Sequence, residues 1–400
     1  MSKISLTPNA SGTGTFTIAS PNSNTSRTLT LPDADGALLA GAQAPFIPAA
    51  VSGATQALDV GTYNFFDAGT LTADTTVSFT NVPTGARWTY TYETDIDAST
   101  AWDVSTASHL RSFSVGAQED LPTGVFFKPD GLKMYVIGRS GVEINEYNLS
   151  TAWDISTASY LQTLSVSAQE TSPFDVFFKP DGTKMYVLGS TGDDVTEYDL
   201  STAWDISTAS YLQDFSFSVQ EIFPHSFFFK PDGLKMYVIG TDGDDVNEYN
   251  LSTAWNVSTA SYSQSFSVSA QDVNPSGVFF KPDGLKMYIS GQTGANVNEY
   301  NLSTAWDVST ASYLQNFSVS AQDTAPFSLF FKPDGAKMYV VLGVSDSVGE
   351  YNLGTRYTLS LPPSIENPPA EITQLSDRVA YTFFTADGGT NVYLINEEVL

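Results

Sequence analysis

Apolar and polar residues alternate along short runs of this chain, and no long stretch has the 3.6-residue apolar period of an amphipathic helix. The stretch after Ser252 shows the pattern well. It contains four runs typical of β-strands, SYSQSFSVS, SGVFF, KMYIS and NVNEYNL, separated by turn signals such as KPDG and GQTG. Short runs bounded by such turns predict an all-β protein.

The four runs form a unit that recurs five times without an insertion. The tryptophan of the STAW segment returns every 51 residues, from Trp102 to Trp306, and the FFKPDG segment keeps the same step from Phe126 to Phe330. A strict period of this size indicates a solenoid, a propeller or an array. Four strands per unit match a propeller blade, and Pro-Asp-Gly in the middle of the unit argues against a helical repeat.

The repeat begins and ends out of phase, which predicts how the ring closes. The first copy contributes only its last strand, His109–Val115, and the last copy contributes only its first three, Phe327–Leu353. Together they complete one blade, so the sequence predicts five blades. This arrangement places the KPDG turns and STAWD loops on one face, called the bottom. The loops before each inner strand and the second hairpin turns lie on the other face, the top.

A charged pair is expected in every blade. A two-residue turn at Arg139 and Ser140 would place Lys133 directly opposite Glu146, and the later blades repeat this pair as far as Lys337 and Glu350. We expect these pairs to be exposed to solvent, and their main role to be fixing the register of the strands.

The segments on either side of the repeat suggest a second β domain. Residues 57–98 and 354–400 both alternate apolar and polar positions, and neither is long enough for a sandwich alone. We predict one small β-sandwich made from both, with the propeller, residues 99–353, inserted between them. We further predict that residues 1–45 form an extended N-terminal β-arm and that residues 46–56 form a linker.

Composition narrows the partners and the chemistry. The formal charge of −27 argues against nucleic acid and anionic membranes as partners. There is no cysteine, and the start of the chain lacks the apolar run of a secretory signal, so we expect assembly in a cytoplasm. Only two histidines occur and no catalytic or phosphate-binding motif is present, so no cofactor and no metal site are expected.

The top loops carry the candidate binding site. The bottom elements hardly change between copies, whereas EDLPTG, ETSPFD, EIFPHS, DVNPSG and DTAPFS all differ. Variable loops on a rigid scaffold are typical of binding surfaces. The alternative is that these side chains plug the mouth of the channel. The candidates, on the propeller top rim, are Leu121, Phe174, Asp175, Phe223, His225 and Phe327.

Three other interpretations start from the same repeats. Glycoside hydrolysis needs two carboxylates at the channel, and only Asp175 supplies one, so the sequence predicts that the protein is not an enzyme. The aspartates near Asp194 and Asp245 could bind calcium or cap turns. The five tryptophans could stack on sugars or pack between blades.

Three parts of the sequence resemble known families. TGTFTIASPNSNTSRTLTLPDADGALLA resembles the N-terminal segments of tailed-phage fibre proteins, and LTADTTVSFTN with YTFFTADGGTNVYLI resembles a small domain of tail and capsid fibres. FKPDGxKMYVxG…VNEYNLSTAWD is similar to the YVTN-type propeller repeat, although those propellers often have more blades. The resemblance implies a trimeric virion protein anchored to capsid or tail proteins by the arm residues Phe16, Ile18, Leu29 and Leu31.

The sequence therefore suggests a bacteriophage fibre or decoration protein that presents its propeller to a glycan or protein receptor on the host surface. A purely structural ornament, a five-bladed glycosidase and a bacterial adhesin are the alternatives.

Overall fold

A computed structural model describes residues 49–71, 75–94, 100–354, 359–366 and 378–399. Contacts divide the chain into two units, Met1–Ile47 and Pro48–Leu400, and the first lies outside the described residues. The predicted attachment residues Phe16, Ile18, Leu29 and Leu31 belong to that first unit.

Strands and five short 3₁₀ helices make up all the regular structure in the described residues. The strands before the propeller are β1 Ala49–Ala50, β2 Thr55–Asp59, β3 Phe65–Leu71, β4 Thr75–Thr80 and β5 Arg87–Thr94. Those after it are β26 Leu359–Ser360, β27 Ile365–Glu366, β28 Arg378–Phe384 and β29 Val392–Val399. No helix in these ranges is long and apolar enough to cross a membrane.

Four blades of the propeller are built from consecutive strands. They are β7 Pro122–Phe127, β8 Lys133–Gly138, β9 Glu143–Leu149 and β10 Ala158–Ser165; β11 Pro173–Phe178, β12 Lys184–Gly189, β13 Asp194–Leu200 and β14 Ala209–Ser216; β15 Pro224–Phe229, β16 Lys235–Gly240, β17 Asp245–Leu251 and β18 Ala260–Ser267; β19 Pro275–Phe280, β20 Lys286–Gly291, β21 Asn296–Leu302 and β22 Ala311–Ser318.

The fifth blade joins the two ends of the repeat. Its strands β23 Pro326–Phe331, β24 Lys337–Leu342 and β25 Ser347–Asn352 pair with β6 Ser108–Ser114, which comes first in the chain. The predictions of five blades and of this closure are confirmed. A ring closed in this way leaves no incomplete blade at either end of the repeat.

The loop between the third and fourth strands of each repeat contains one 3₁₀ turn. Its first cap residue, Asp or Asn, accepts a hydrogen bond from the backbone N–H two residues later, as Asp154 does from Ser156. The turns are η1 Val104–Thr106, η2 Ile155–Thr157, η3 Ile206–Thr208, η4 Val257–Thr259 and η5 Val308–Thr310.

The strands that flank the propeller combine into two sheets. One has the order β1-β3-β5-β28-β29-β27 and the other β2-β4-β26, so both contain strands from before and after the repeats. Strand β5 pairs antiparallel with β28, with Trp88 opposite Phe383. Leu58 and Val77 of the smaller sheet share one apolar core with these two residues. This arrangement partly fits a sandwich, and the domain boundaries given above remain predictions.

The hairpin between the second and third strands differs from the prediction. Gly138 pairs with Glu143, so the loop has four residues instead of two, and its last residue, Val142, has φ 53°. Lys133 therefore lies opposite Asn148, and the directly opposed Lys133–Glu146 pair is wrong by two residues. Lys133 still reaches Glu146 diagonally on the same sheet face and forms an ion pair with it.

Candidate functional site

Five phenylalanines close the central channel. Each is the first Phe of an FFKPDG segment on an inner strand, and neighbouring ring centroids lie 5.0–5.5 Å apart in edge-to-face contacts around the complete ring. Such contacts are favoured by the aromatic quadrupole. They leave a cavity of only about 20 Å³ in the channel, room for about one water molecule. The ring consists of Phe126, Phe177, Phe228, Phe279 and Phe330.

A polar layer lies two residues earlier on the same inner strands, since alternate strand residues point to the same side. Asp175 is buried there. Its carboxylate accepts hydrogen bonds from the hydroxyl groups of Ser226 at 2.5 Å and Ser328 at 3.3 Å. Burial raises the pKa of Asp175 to about 7, although these hydrogen bonds and two from backbone N–H groups oppose the rise. Asp175 thus lies inside the channel and not on the rim.

A buried acid holds each top loop in place. Glu119 accepts hydrogen bonds from the backbone N–H groups of Leu121, Ser140 and Gly141, and so joins the loop before the inner strand to the neighbouring hairpin turn. The other blades repeat this arrangement at equivalent positions. The top loops therefore share one frame although their sequences differ. The acids are Glu119, Glu170, Glu221, Asp272 and Asp323.

Three predicted rim residues lie around an arginine. Leu121 accepts a backbone hydrogen bond from Arg139. The guanidinium carbon of Arg139 lies 4.7 Å from the centroid of the Phe174 ring, and Phe174 stacks on His225 with centroids 4.5 Å apart. This stack crosses three consecutive blades. Arg139 is not among the residues predicted from the sequence, although RSGVEI is the one basic segment among the five second top loops.

His225 also has a structural role. Its Nδ1 lies 3.2 Å from the carbonyl oxygen of Pro275 in the next blade, and Thr123 and Ser276 make the equivalent bridges from their own blades. Burial lowers the pKa of His225 to about 4, with a smaller contribution from Arg139. The imidazole is therefore neutral near pH 7.

The remaining two rim residues differ in exposure. Phe223 is 54% exposed, next to the exposed Ile222 in the same loop, and forms an apolar projection on the top face. Phe327 is partly buried and packs against the cores of neighbouring blades. The structure thus brings Leu121, Phe174 and His225 together, places Asp175 below them, and leaves Phe223 open to solvent.

The bottom face is occupied by packing between blades. The five tryptophans are at most 9% exposed. The backbone N–H of Trp153 donates to the carbonyl of Gly131 in the KPDG turn, and the Trp153 carbonyl accepts a hydrogen bond from the Tyr339 hydroxyl of the adjacent blade at 2.7 Å. The side chains needed for sugar stacking are therefore already covered.

The glutamates of the charged ring are buried, which corrects the expectation of a solvated feature. Glu197 accepts hydrogen bonds from Lys184, from the side chain of Gln213 and from the backbone N–H of Val257 in the next blade. Each such carboxylate links strands within a blade to the loop of its neighbour. The buried members are Glu146, Glu197, Glu248, Glu299 and Glu350.

The aspartate-rich hairpins do not converge on a cation. Within the described ranges, no group of three or more His, Cys, Asp or Glu residues is placed to hold a metal ion. Burial and neighbouring carboxylates raise the pKa of Asp194 to about 6.

Comparison with known proteins gives similarity in fold. No family model matches the chain, and no curated protein matches its sequence. Solved structures do match it. They include a candidate 6-phosphogluconolactonase of Bacteroides uniformis, at 13% identity and TM-score 0.38, covering 70% of this chain and 85% of that one. A periplasmic gluconolactonase of Pseudomonas aeruginosa matches at 14% identity and TM-score 0.37, covering 70% and 69%.

These matches correct the prediction that the protein is not an enzyme. That prediction rested on the absence of familiar catalytic motifs and on a count of carboxylates for glycoside hydrolysis. The names of the matched propellers include lactonases, and neither argument addresses lactone hydrolysis. The prediction is withdrawn. A third match, a functionally unknown protein of Desulfotomaculum acetoxidans, has 11% identity, covers 70% of this chain and 88% of that one, and has a TM-score of 0.36. At these identities the matches concern the propeller fold alone.

Proposed function

We propose that the propeller is a recognition module that binds its ligand on the top face. One contrast supports this most directly. All five top loops are held by a buried glutamate or aspartate at the equivalent position, yet their outer side chains differ, and one loop exposes Ile222 and Phe223. A rigid frame with variable, partly apolar tips suits the binding of a glycan or protein.

We further propose that this module belongs to a bacteriophage fibre or decoration protein. The support is the sequence resemblance of the N-terminal arm and the flanking β segments to phage fibres. In this proposal the arm attaches to capsid or tail proteins, the assembly is a homotrimer, and the protein resides in the virion. The propeller then faces the host surface, where glycans or receptor proteins are the partners.

Binding of the purified full chain to host cells tests the recognition function. We expect saturable binding that falls at least tenfold when Ile222 and Phe223 are both changed to serine, because exposed apolar residues often dominate an interface. Leu132 and Leu234 on the bottom face are also exposed, and their double serine variant is the matched control. Equal binding by both variants would place the site elsewhere. No binding by the wild type would leave a purely structural ornament.

A second candidate function, a hydrolytic enzyme, is favoured by Asp175. A buried carboxyl group with a pKa near 7 is suited to general acid–base catalysis. The cavity beside Asp175 holds only about one water molecule, so this candidate requires the top of the channel to open for a substrate. Assays of polysaccharide and sugar-lactone hydrolysis test it. Activity that disappears in Asp175→Asn would support this candidate, and wild type without turnover on either substrate class would remove its basis.

A further inference from the structure

Arg139 differs from every other basic side chain of the propeller. Residues 100–354 contain twelve lysines and arginines, and eleven of them form an ion pair with a carboxylate. In this fully described range Arg139 alone has no acidic partner. Its side chain is exposed in a chain of formal charge −27, where carboxylates are abundant. A cation left unpaired there is available to an external anion.

The guanidinium of Arg139 is held in position from two sides. Its Nε donates to the Ser172 hydroxyl at 3.1 Å, and its central carbon lies over the Phe174 ring, 4.7 Å from the centroid. Phe174 is itself buried and stacked on His225. Within the described part of the chain, the two terminal nitrogens have no hydrogen-bond acceptor. A guanidinium that is already ordered loses less side-chain entropy when it binds a ligand.

We infer that Arg139 is the anchor of a site for a carboxylate-bearing sugar, such as a uronic acid residue of a surface polysaccharide. The planar guanidinium matches a carboxylate, which can accept two parallel hydrogen bonds from it. The acidic surface repels a dianionic phosphate more strongly than a carboxylate of single charge. Phe223 lies two residues before His225 on the same top loop and offers an exposed aromatic face to the sugar ring.

This inference deepens the proposed recognition function and rests on it for the source of the ligand. The site itself rests on the geometry around Arg139.

Calorimetric titration of the full chain with the methyl glycoside of galacturonic acid, which carries a single carboxylate, tests the site, with its methyl ester and inorganic phosphate as comparison probes. We expect saturable binding of the acid form that weakens at least tenfold on esterification and at least tenfold in Arg139→Gln. The affinity of Arg139→Lys should lie between those of the wild type and Arg139→Gln, because lysine keeps the charge but lacks the planar guanidinium group. Lys128→Gln, which removes the same charge from the bottom face, should change binding less than twofold.

Three results would overturn the inference: no binding of the acid form, equal loss in Arg139→Gln and Lys128→Gln, or tighter Arg139-dependent binding of phosphate than of uronate. Cell binding separates this inference from the proposed function. If the wild type binds cells and Arg139→Gln binds them equally well, the recognition function stands and the uronate site is rejected. If the chain binds uronate through Arg139 but does not bind cells, the uronate site stands and the recognition function is rejected.

Discussion

The hydroxyl group of Tyr288 donates a 2.6 Å hydrogen bond to the carbonyl oxygen of Trp102, which is 186 residues away in sequence. The same tyrosine-to-tryptophan bond joins the other neighbouring blades, as between Tyr135 and Trp204. The bond from Tyr288 connects the first STAWD loop of the chain, which contains Trp102, to the blade formed by β19–β22. The closure of the ring is therefore maintained by the same contact that joins blades within it.

Removing that bond should destabilise the whole propeller. Tyr288→Phe leaves the buried carbonyl of Trp102 without its donor, which costs about 1–3 kcal/mol. Denaturant unfolding should show one shifted transition, and Tyr135→Phe should shift it by a similar amount because blades depend on their neighbours. Two separate transitions in Tyr288→Phe, or no shift, would show that closure does not contribute in this way.

The KPDG glycine should tolerate no side chain, for two reasons. Gly131 has φ +73°, and a Cβ there would overlap the indole ring of Trp153. Gly85 has a similar φ of +77° with open space around it, so Gly85→Ala carries only the backbone strain of about 1–2 kcal/mol. We expect the loss in unfolding free energy of its own domain to be at least about 2 kcal/mol larger for Gly131→Ala than for Gly85→Ala. Equal losses would mean that the Trp–Gly contact contributes little.

The two lysines of one blade should differ in importance. Lys235 pairs with the buried Glu248, whereas Lys230 pairs with the exposed Asp232. Lys235→Met leaves a buried carboxylate without its cation and should cost about 2–4 kcal/mol, and Lys230→Met should cost less than about 1 kcal/mol. Chemical denaturation of both variants measures this difference. Similar costs would contradict the assignment of Glu248 as a buried linker.

Asp175 should make the propeller less stable as pH rises. Its folded pKa of about 7 lies above the value of 3.8 for a free aspartate, so the folded state retains the proton while the unfolded state releases it. The contribution of Asp175 to the free energy of unfolding is therefore largest below pH ~4 and falls between pH ~4 and ~7. Above pH ~7 it is smaller by about 4 kcal/mol. Asp175→Asn should remove this fall. The difference in unfolding free energy between the wild type and the variant, measured as a function of pH, isolates the contribution of Asp175. A constant difference would show that Asp175 is not buried as described.

Much of the fold was predictable because its information is local and repeated. The KPDG and STAW segments recur at a fixed step, so strand order and ring closure follow from counting residues. The register was not predictable in the same way. A four-residue hairpin with a left-handed fourth residue is hard to infer when that residue is Val142 in one blade and Ala295 in another. Moving the pairing by two residues kept Lys133 and Glu146 on one face, which is why the ion pair still formed.

The candidate site was only partly predictable, because its geometry depends on contacts between blades. Phe174 and His225 were identifiable as variable aromatic positions, but their stacking joins residues 51 positions apart. Arg139 lay in a turn that looked structural. Its importance arises from the absence of a carboxylate partner, which only the folded ring reveals. The burial of Asp175 likewise depends on Ser226 and Ser328, which other blades supply.

We propose that ligand binds to the top face of the propeller. Hydrogen exchange of the full chain, with and without a saturating host-surface ligand, can distinguish the top face from the bottom face. Binding to the top face should slow exchange in the top segments 119–124, 138–143 and 221–225 and leave exchange in the KPDG turns and STAWD loops unchanged. Slowed exchange confined to those bottom elements would contradict it.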